Sequence, residues 1–228
     1  MKILALGDPH GKLPKNLDRI IKKNKIDIII CVGDIPLTPK NPADPKSWIG
    51  FRKKADKSYK EMIRKLCSYK LPFLTLRGNM YIGDKRANDF TKSIFRKYKN
   101  LYYKKTGKIK IKNQDFIFFD MIFEMHSVRT KGGLRLARTD MKRERKLNKL
   151  LHESKYSILI SHAPPYNILD KIHSGKHVGS KILLKAIKKH PPEYVLCGHI
   201  HEAKGEKKIG KTKVINLGFC GDYKIIKI

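Results

Sequence analysis

Five short apolar runs, each stopping at a small polar group, constrain this chain more than any other feature. Residues 3–7, 26–32, 73–76, 156–160 and 194–197 have the length and flanks of buried strands. They end at Asp8-Pro9-His10, Gly33-Asp34, Gly78-Asn79, Ser161-His162 and Gly198-His199-Ile200-His201. The second run is almost unbroken in apolar residues, as expected of a strand covered on both faces. Helical patterns lie between the runs. Residues 15–25 carry Leu17, Ile20 and Ile21 on one side with Asn16 as a candidate cap, and 51–67 direct Tyr59, Met62, Ile63 and Leu66 inward. Residues 140–152, with Met141, Leu147, Leu150 and Leu151, and residues 180–189 give two more. Together they indicate an α/β fold. Ligands of open α/β sheets bind beyond the carboxyl ends of the strands, so strands lying side by side would bring the five polar groups to one edge.

The rest of the chain adds detail. Four prolines make PLTPKNPADPKSW a loop, and residues 122–139 are polar and glycine-containing. A hairpin is expected from 108–112 and 116–121, turning near Asn113-Gln114. The tail, 206–228, reads as short antiparallel strands turning at Lys211 and Gly221. No repeat, heptad array or linker divides the 228 residues, which are expected to form a single domain over 1–228.

Charge enters the argument through partners. Lys plus Arg number 52 against 20 Asp plus Glu, a formal net charge of +32. Such an excess concentrates anions, phosphorylated small molecules and nucleic acids alike, without choosing between them. Cys31, Cys67, Cys197 and Cys220 form no CxxC pair, and Cys31 and Cys197 end apolar runs as small buried hydrophobes. A reducing cytoplasmic setting fits this usage. No apolar stretch has the length of a membrane span, and no leader pattern precedes the first strand, so no membrane partner is expected.

Taken singly, each polar group has an ordinary explanation: Asp8 as a turn aspartate, His162 as a core histidine. The ordered set does not. Its order, DxH, GD, GN, H and GHxH, resembles the calcineurin-like metallophosphoesterase superfamily over essentially the whole chain. The SHAPP and LCGHIHEAKG stretches are most similar to small archaeal and bacterial phosphoesterases. The resemblance implies a four-layer α-β-β-α sandwich with a dinuclear metal centre at strand ends. Asp8, His10, Asp34 and His201 would hold one ion. Asn79, His162 and His199 would hold the other, with Asp34 bridging both. Oxygen and imidazole donors suit manganese, the favoured ion, and also iron, zinc, nickel or cobalt. The implied activity is hydrolysis of phosphate esters, phosphodiesters above all, by a metal-bridging hydroxide, with no side chain as the catalytic nucleophile.

Two departures matter. The family often has histidine after the Asn block, where this chain has Met80, which has no proton to donate to a leaving oxygen. Diesters and activated phosphates suit such a site better than difficult monoesters. His126, His173, His177 or a water on a metal could serve instead. Where the family often carries an acidic residue three positions beyond the GD block, this chain has Leu37. KIHSGKHVGSK, residues 171–181, places His173, Lys176 and His177 before a helix start, a natural anion position and a candidate substrate contact. Arg129, with Lys131, Arg135 and Arg138, is a candidate anion-binding wall or a solvated insertion. Two other readings stand beside the phosphodiesterase. One is a nuclease acting on DNA or RNA, favoured by the charge. The other is a non-catalytic interaction module of the same fold, disfavoured because every expected ligand is present. Self-association is common among such proteins, but no segment identifies an interface.

Overall fold

The computed structural model describes residues 1–41, 44–79, 85–120 and 131–228. Its elements run β1 (Lys2–Leu6), α1 (Leu17–Asn24), β2 (Ile28–Cys31), α2 (Arg52–Ser68), β3 (Phe73–Thr75), α3 (Lys85–Phe95), β4 (Leu101–Tyr102), β5 (Thr106–Ile111) and β6 (Gln114–Phe119). Then follow α4 (Lys131–His152), β7 (Ile158–Ser161), α5 (Lys181–Lys189), β8 (Tyr194–Cys197), β9 (Gly205–Ile209), β10 (Thr212–Asn216) and β11 (Tyr223–Lys227). These elements form two compact units, Met1–Tyr103 with Phe219–Ile228, and Lys104–Gly218.

The first unit is a mixed five-stranded sheet in the order β11-β1-β2-β3-β4. Strands β1 to β4 are parallel, and β11 is antiparallel to β1. Alternation along the strands directs Leu4, Leu6, Ile29, Cys31 and Phe73 into one core cluster. Leu17 and Ile21 of α1 and Tyr59, Met62, Ile63 and Leu66 of α2 complete that cluster. Ile3, Ala5, Ile28, Ile30 and Leu74 alternate with them and are equally inaccessible. Both faces of the sheet are therefore buried, which explains the unbroken apolar runs.

The second unit holds six strands in the order β5-β6-β7-β8-β10-β9. The four central strands are parallel, and both edge strands run antiparallel to their neighbours. Ile117, Phe119, Leu159, Val195, Cys197 and Val214 form a core with Leu147 and Leu151 of α4 and Leu183 and Ile187 of α5. The expected α/β class is thus observed, with two mixed sheets that both carry helices. Among the described residues, no helix is long and apolar enough to cross a membrane.

Several local expectations change. Asn16 occupies the cap position of α1, but its left-handed backbone (φ 59°) leaves its side chain without a capping hydrogen bond. Side-chain capping normally accompanies an extended cap residue. The hairpin turns one residue earlier than its pattern suggested, at Lys112-Asn113, where both residues have positive φ (48° and 65°) as a tight two-residue hairpin loop requires. Helix α4 begins at Lys131, not near 140. In the tail, β9 and β10 form the expected hairpin through Gly210-Lys211. The strand after Gly221 does not extend it: β10 already has β8 and β9 on its two sides, and β11 takes the free edge of β1.

Candidate metal centre

In the first unit, the loops after β1, β2 and β3 are linked by backbone hydrogen bonds. The His10 amide donates to the Asp34 carbonyl (3.0 Å), and the Asp34 amide donates to the Arg77 carbonyl (3.4 Å). Asp8 is fixed from the other side, where its carbonyl accepts from the Cys220 amide at 2.9 Å. Asp8 is fully buried and Asp34 nearly so. Asp8 and His10 offer donor atoms within 4.8 Å of each other. Gly78 is what lets the third loop approach. A Cβ there would lie 2.2 Å from Asp34 Oδ1, and its φ of +74° suits glycine. Asn79 follows it directly, in the loop after the strand that neighbours β2.

In the second unit, His162 follows β7 and is fully buried, while His199 and His201 follow β8 and are half-buried. The Gly198 amide donates to the His162 carbonyl at 3.0 Å, joining the two loops. The imidazoles of His162 and His199 have centroids 4.9 Å apart, with donor atoms within 4.8 Å. Asn216, at the end of β10, holds this turn: its amide donates to the Ile200 carbonyl (2.9 Å) and the Leu169 carbonyl (3.1 Å). Two groups of donors suited to a metal ion are thus present, one containing Asp8 and His10, the other His162 and His199.

Three of these positions have a backbone conformation uncommon for non-glycine residues, one they share with turn residues such as Lys25, Lys70 and Tyr156. His10 (φ 44°), Asp34 (φ 42°) and His199 (φ 67°) all lie in the left-handed region. Such conformations cost free energy in non-glycine residues and concentrate at functional sites. Carboxylates as buried as Asp8 and Asp34 remain anionic only with donors or cations beside them. A divalent ion fits that requirement, and the carboxylate, imidazole and amide donors suit the metals expected from the sequence.

The segment between His162 and α5 is tightly organised. Asp170 is fully buried, and its Oδ2 accepts the amides of Asn167 (3.0 Å) and Gly179 (2.8 Å). Its Oδ1 lies 2.6 Å from Nδ1 of His177, whose ring packs edge-on to Tyr166. Nothing in the sequence reading singled out Asp170 or Asn216, because neither immediately follows one of the apolar runs identified as strands. His173 is a different case. Its side chain is 89 % exposed, its backbone amide donates to Glu202 Oε1 at 3.2 Å, and its ring Nε2 stands 3.8 Å from the same oxygen. Lys176 is exposed. Met80, His126 and Arg129 lie outside the described residues.

The buried thiols of Cys31 and Cys67 offer no nucleophile. Cys31 and Cys197 are fully buried, as expected, and burial raises the Cys31 thiol far above the usual range. Burial also pushes the Cys67 thiol up to about 12. A thiolate nucleophile has no place to form at either position.

Comparison with known proteins agrees with this arrangement. The sequence profile of the calcineurin-like phosphoesterases matches residues 1–203. A Methanocaldococcus jannaschii protein, MJ1162, is 30 % identical over 225 residues, which is 95 % of this chain and 87 % of the relative. Among solved structures, TT1561 of Thermus thermophilus superposes with a TM-score of 0.60 at 17 % identity, covering 96 % of this chain and 90 % of that one. A dimetal phosphatase from Danio rerio gives a TM-score of 0.66 at 11 % identity, covering 99 % and 91 %. At such identities the structural likeness speaks for the fold, while the profile match, which takes in every donor from Asp8 to His201, places the chain among the calcineurin-like phosphoesterases.

Proposed function

We propose that this chain is a metal-dependent phosphodiesterase. Asp8, His10, Asp34 and His201 would hold one divalent ion, and Asn79, His162 and His199 would hold a second, with Asp34 available to both. The observation that carries this reading is the placement of all seven donors in the loops that follow parallel strands. The family match runs through both compact units, which favours reading them as one catalytic domain. When bound, such ions activate water and neutralise charge on the phosphate, and manganese is the favoured choice. The chain's own residues do the rest. Asp34 offers a buried anionic oxygen to offset the repulsion between two cations. His177, oriented by the buried Asp170 carboxylate, presents its Nε2 as a proton donor for the leaving oxygen or a contact for a phosphate oxygen. Met80 has no proton to give, so a leaving oxygen that needs one would depend on His177, and diesters remain the favoured substrates.

The test uses metal-stripped protein resupplied separately with manganese, zinc, nickel, cobalt or magnesium. Hydrolysis of bis(p-nitrophenyl) phosphate is compared with that of p-nitrophenyl phosphate. Metal-restored diester cleavage, lost in His199→Ala along with metal uptake, is the expected result. A folded wild-type protein that takes up no metal and turns over neither substrate would point instead to an interaction module.

A further inference from the structure

Helices α2 and α3 and the turn after α3 border a groove of about 390 Å³ in the first unit, away from the strand-end donors in sequence and built from other elements. Lys57, Lys60 and Arg64 come from α2, and Lys97 lies beyond α3. The spacing i, i+3, i+7 sets the three α2 cations on one helix face over roughly 10 Å. Among the described residues none of the four has an acidic partner. Two other cations of α2 do have one, Lys65 reaching Asp18 at 2.8 Å and Arg52 reaching Asp56 at 2.9 Å, while Lys53 and Lys54 have none among the described residues. One acid, Glu61, shares the lining with these four cations.

Opposite the α2 charges, α3 and the turn after it supply most of the apolar lining. Phe90, Ile94 and Tyr98 line the groove there, and the Lys60 ammonium stands 5.3 Å from the centroid of the Phe90 ring. Phe90 and Tyr98 pack against the core cluster but are only half-buried, so part of each residue stays exposed at the groove. Cations alone would serve any polyanion. Cations facing recessed aromatic surface serve a ligand that carries phosphates and flat π faces together. A double helix keeps its bases stacked inside and offers such a groove only phosphates. An acidic peptide brings carboxylates without flat faces at each repeat. We propose that this groove binds single-stranded nucleic acid, its phosphates along Lys57, Lys60, Arg64 and Lys97 and a base against Phe90 and Tyr98.

The proposal goes beyond the phosphodiesterase reading and does not depend on it, because binding is measured without metal. Fluorescence anisotropy follows a labelled fifteen-residue oligothymidylate in EDTA over a series of salt concentrations. Wild-type protein is expected to bind, with affinity falling steeply as salt rises. Lys57→Gln/Lys60→Gln/Arg64→Gln is expected to lose at least tenfold in affinity. Its log–log salt slope should be shallower by about 2, since each phosphate contact to a single strand contributes about 0.7. Tyr98→Ala should lose about fivefold with the slope unchanged, as loss of stacking does. Lys207→Gln/Lys208→Gln/Lys211→Gln removes the same charge from the exposed β9–β10 hairpin and should have little effect. Equal losses in the two triple variants would reduce the effect to net charge and overturn the proposal. So would absence of binding, or competition by polyglutamate or duplex as effective as unlabelled oligonucleotide. Hydrolysis of bis(p-nitrophenyl) phosphate by the metal-loaded groove variant should stay at the wild-type rate, so failure of the catalytic reading and failure of this one are separate outcomes.

Discussion

At Gly78 a single hydrogen atom separates a working loop from a blocked one. Alanine there would place a methyl 2.2 Å from Asp34 Oδ1 and force a left-handed backbone on a residue that disfavours it. Gly78→Ala should therefore lose metal uptake, read by calorimetry, while the far-UV circular dichroism stays near wild type. Normal uptake would show that Asp34 is not a ligand. The Asp170–His177 pair yields a second test. If His177 protonates the leaving group, His177→Asn should slow esters of poor leaving groups by about 10²-fold or more and p-nitrophenyl esters far less. Asp170→Asn should repeat this selective loss, and equal slowing of all esters would assign the pair a role in loop structure alone. The strand-end donors were legible because each follows an apolar run that announces its place. Asp170 and Asn216 were not. Their importance lies in which carbonyls and amides come to meet them, and that is decided by chain closure far from either residue.

Elements with strong apolar periodicity were legible in the same way: α1, α2 and α5 fall near their expected positions, as do the strands that precede the donors. The helix at Lys85–Phe95 was missed, since KRANDFTKSIF carries few apolar residues. The start of α4 was hidden by Gly132-Gly133, which read as loop. The place of β11 had no local signal at all, because an edge is chosen by whichever strand lacks a neighbour. Within α4, burial separates the residues that the periodicity had grouped together. Leu147 is inaccessible and packs with β6, β7 and α5, whereas Met141 is 52 % exposed. Leu147→Ala should cost about 2–5 kcal/mol in urea unfolding, the range for deleting a buried leucine side chain, and Met141→Ala should fall within about 0.5 kcal/mol of wild type. Comparable costs at both sites would mean that this face of α4 is covered differently.

The charge of the whole molecule predicts how it responds to salt. With 52 basic and 20 acidic side chains, most cations have no acid available to pair with. Folding brings those like charges together, and unfolding lets them spread apart, so self-repulsion works against the native state. Salt acts on two opposing contributions. It weakens exposed pairs such as Lys65–Asp18 and Lys149–Glu153, which contribute little because solvent already screens them. It also screens the repulsion, because the Debye length falls from about 30 Å at 0.01 M to about 10 Å at 0.1 M. The second effect should win, since a net charge of +32 leaves far more repulsive than attractive neighbours. The melting temperature of metal-free protein should rise by several degrees between 0.01 and 0.15 M sodium chloride, and by the same amount in His199→Ala. A melting temperature that stays level or falls would mean that the basic residues are spaced widely enough for folding to add little repulsion. The excess charge would then act on this protein's ligands and not on its stability.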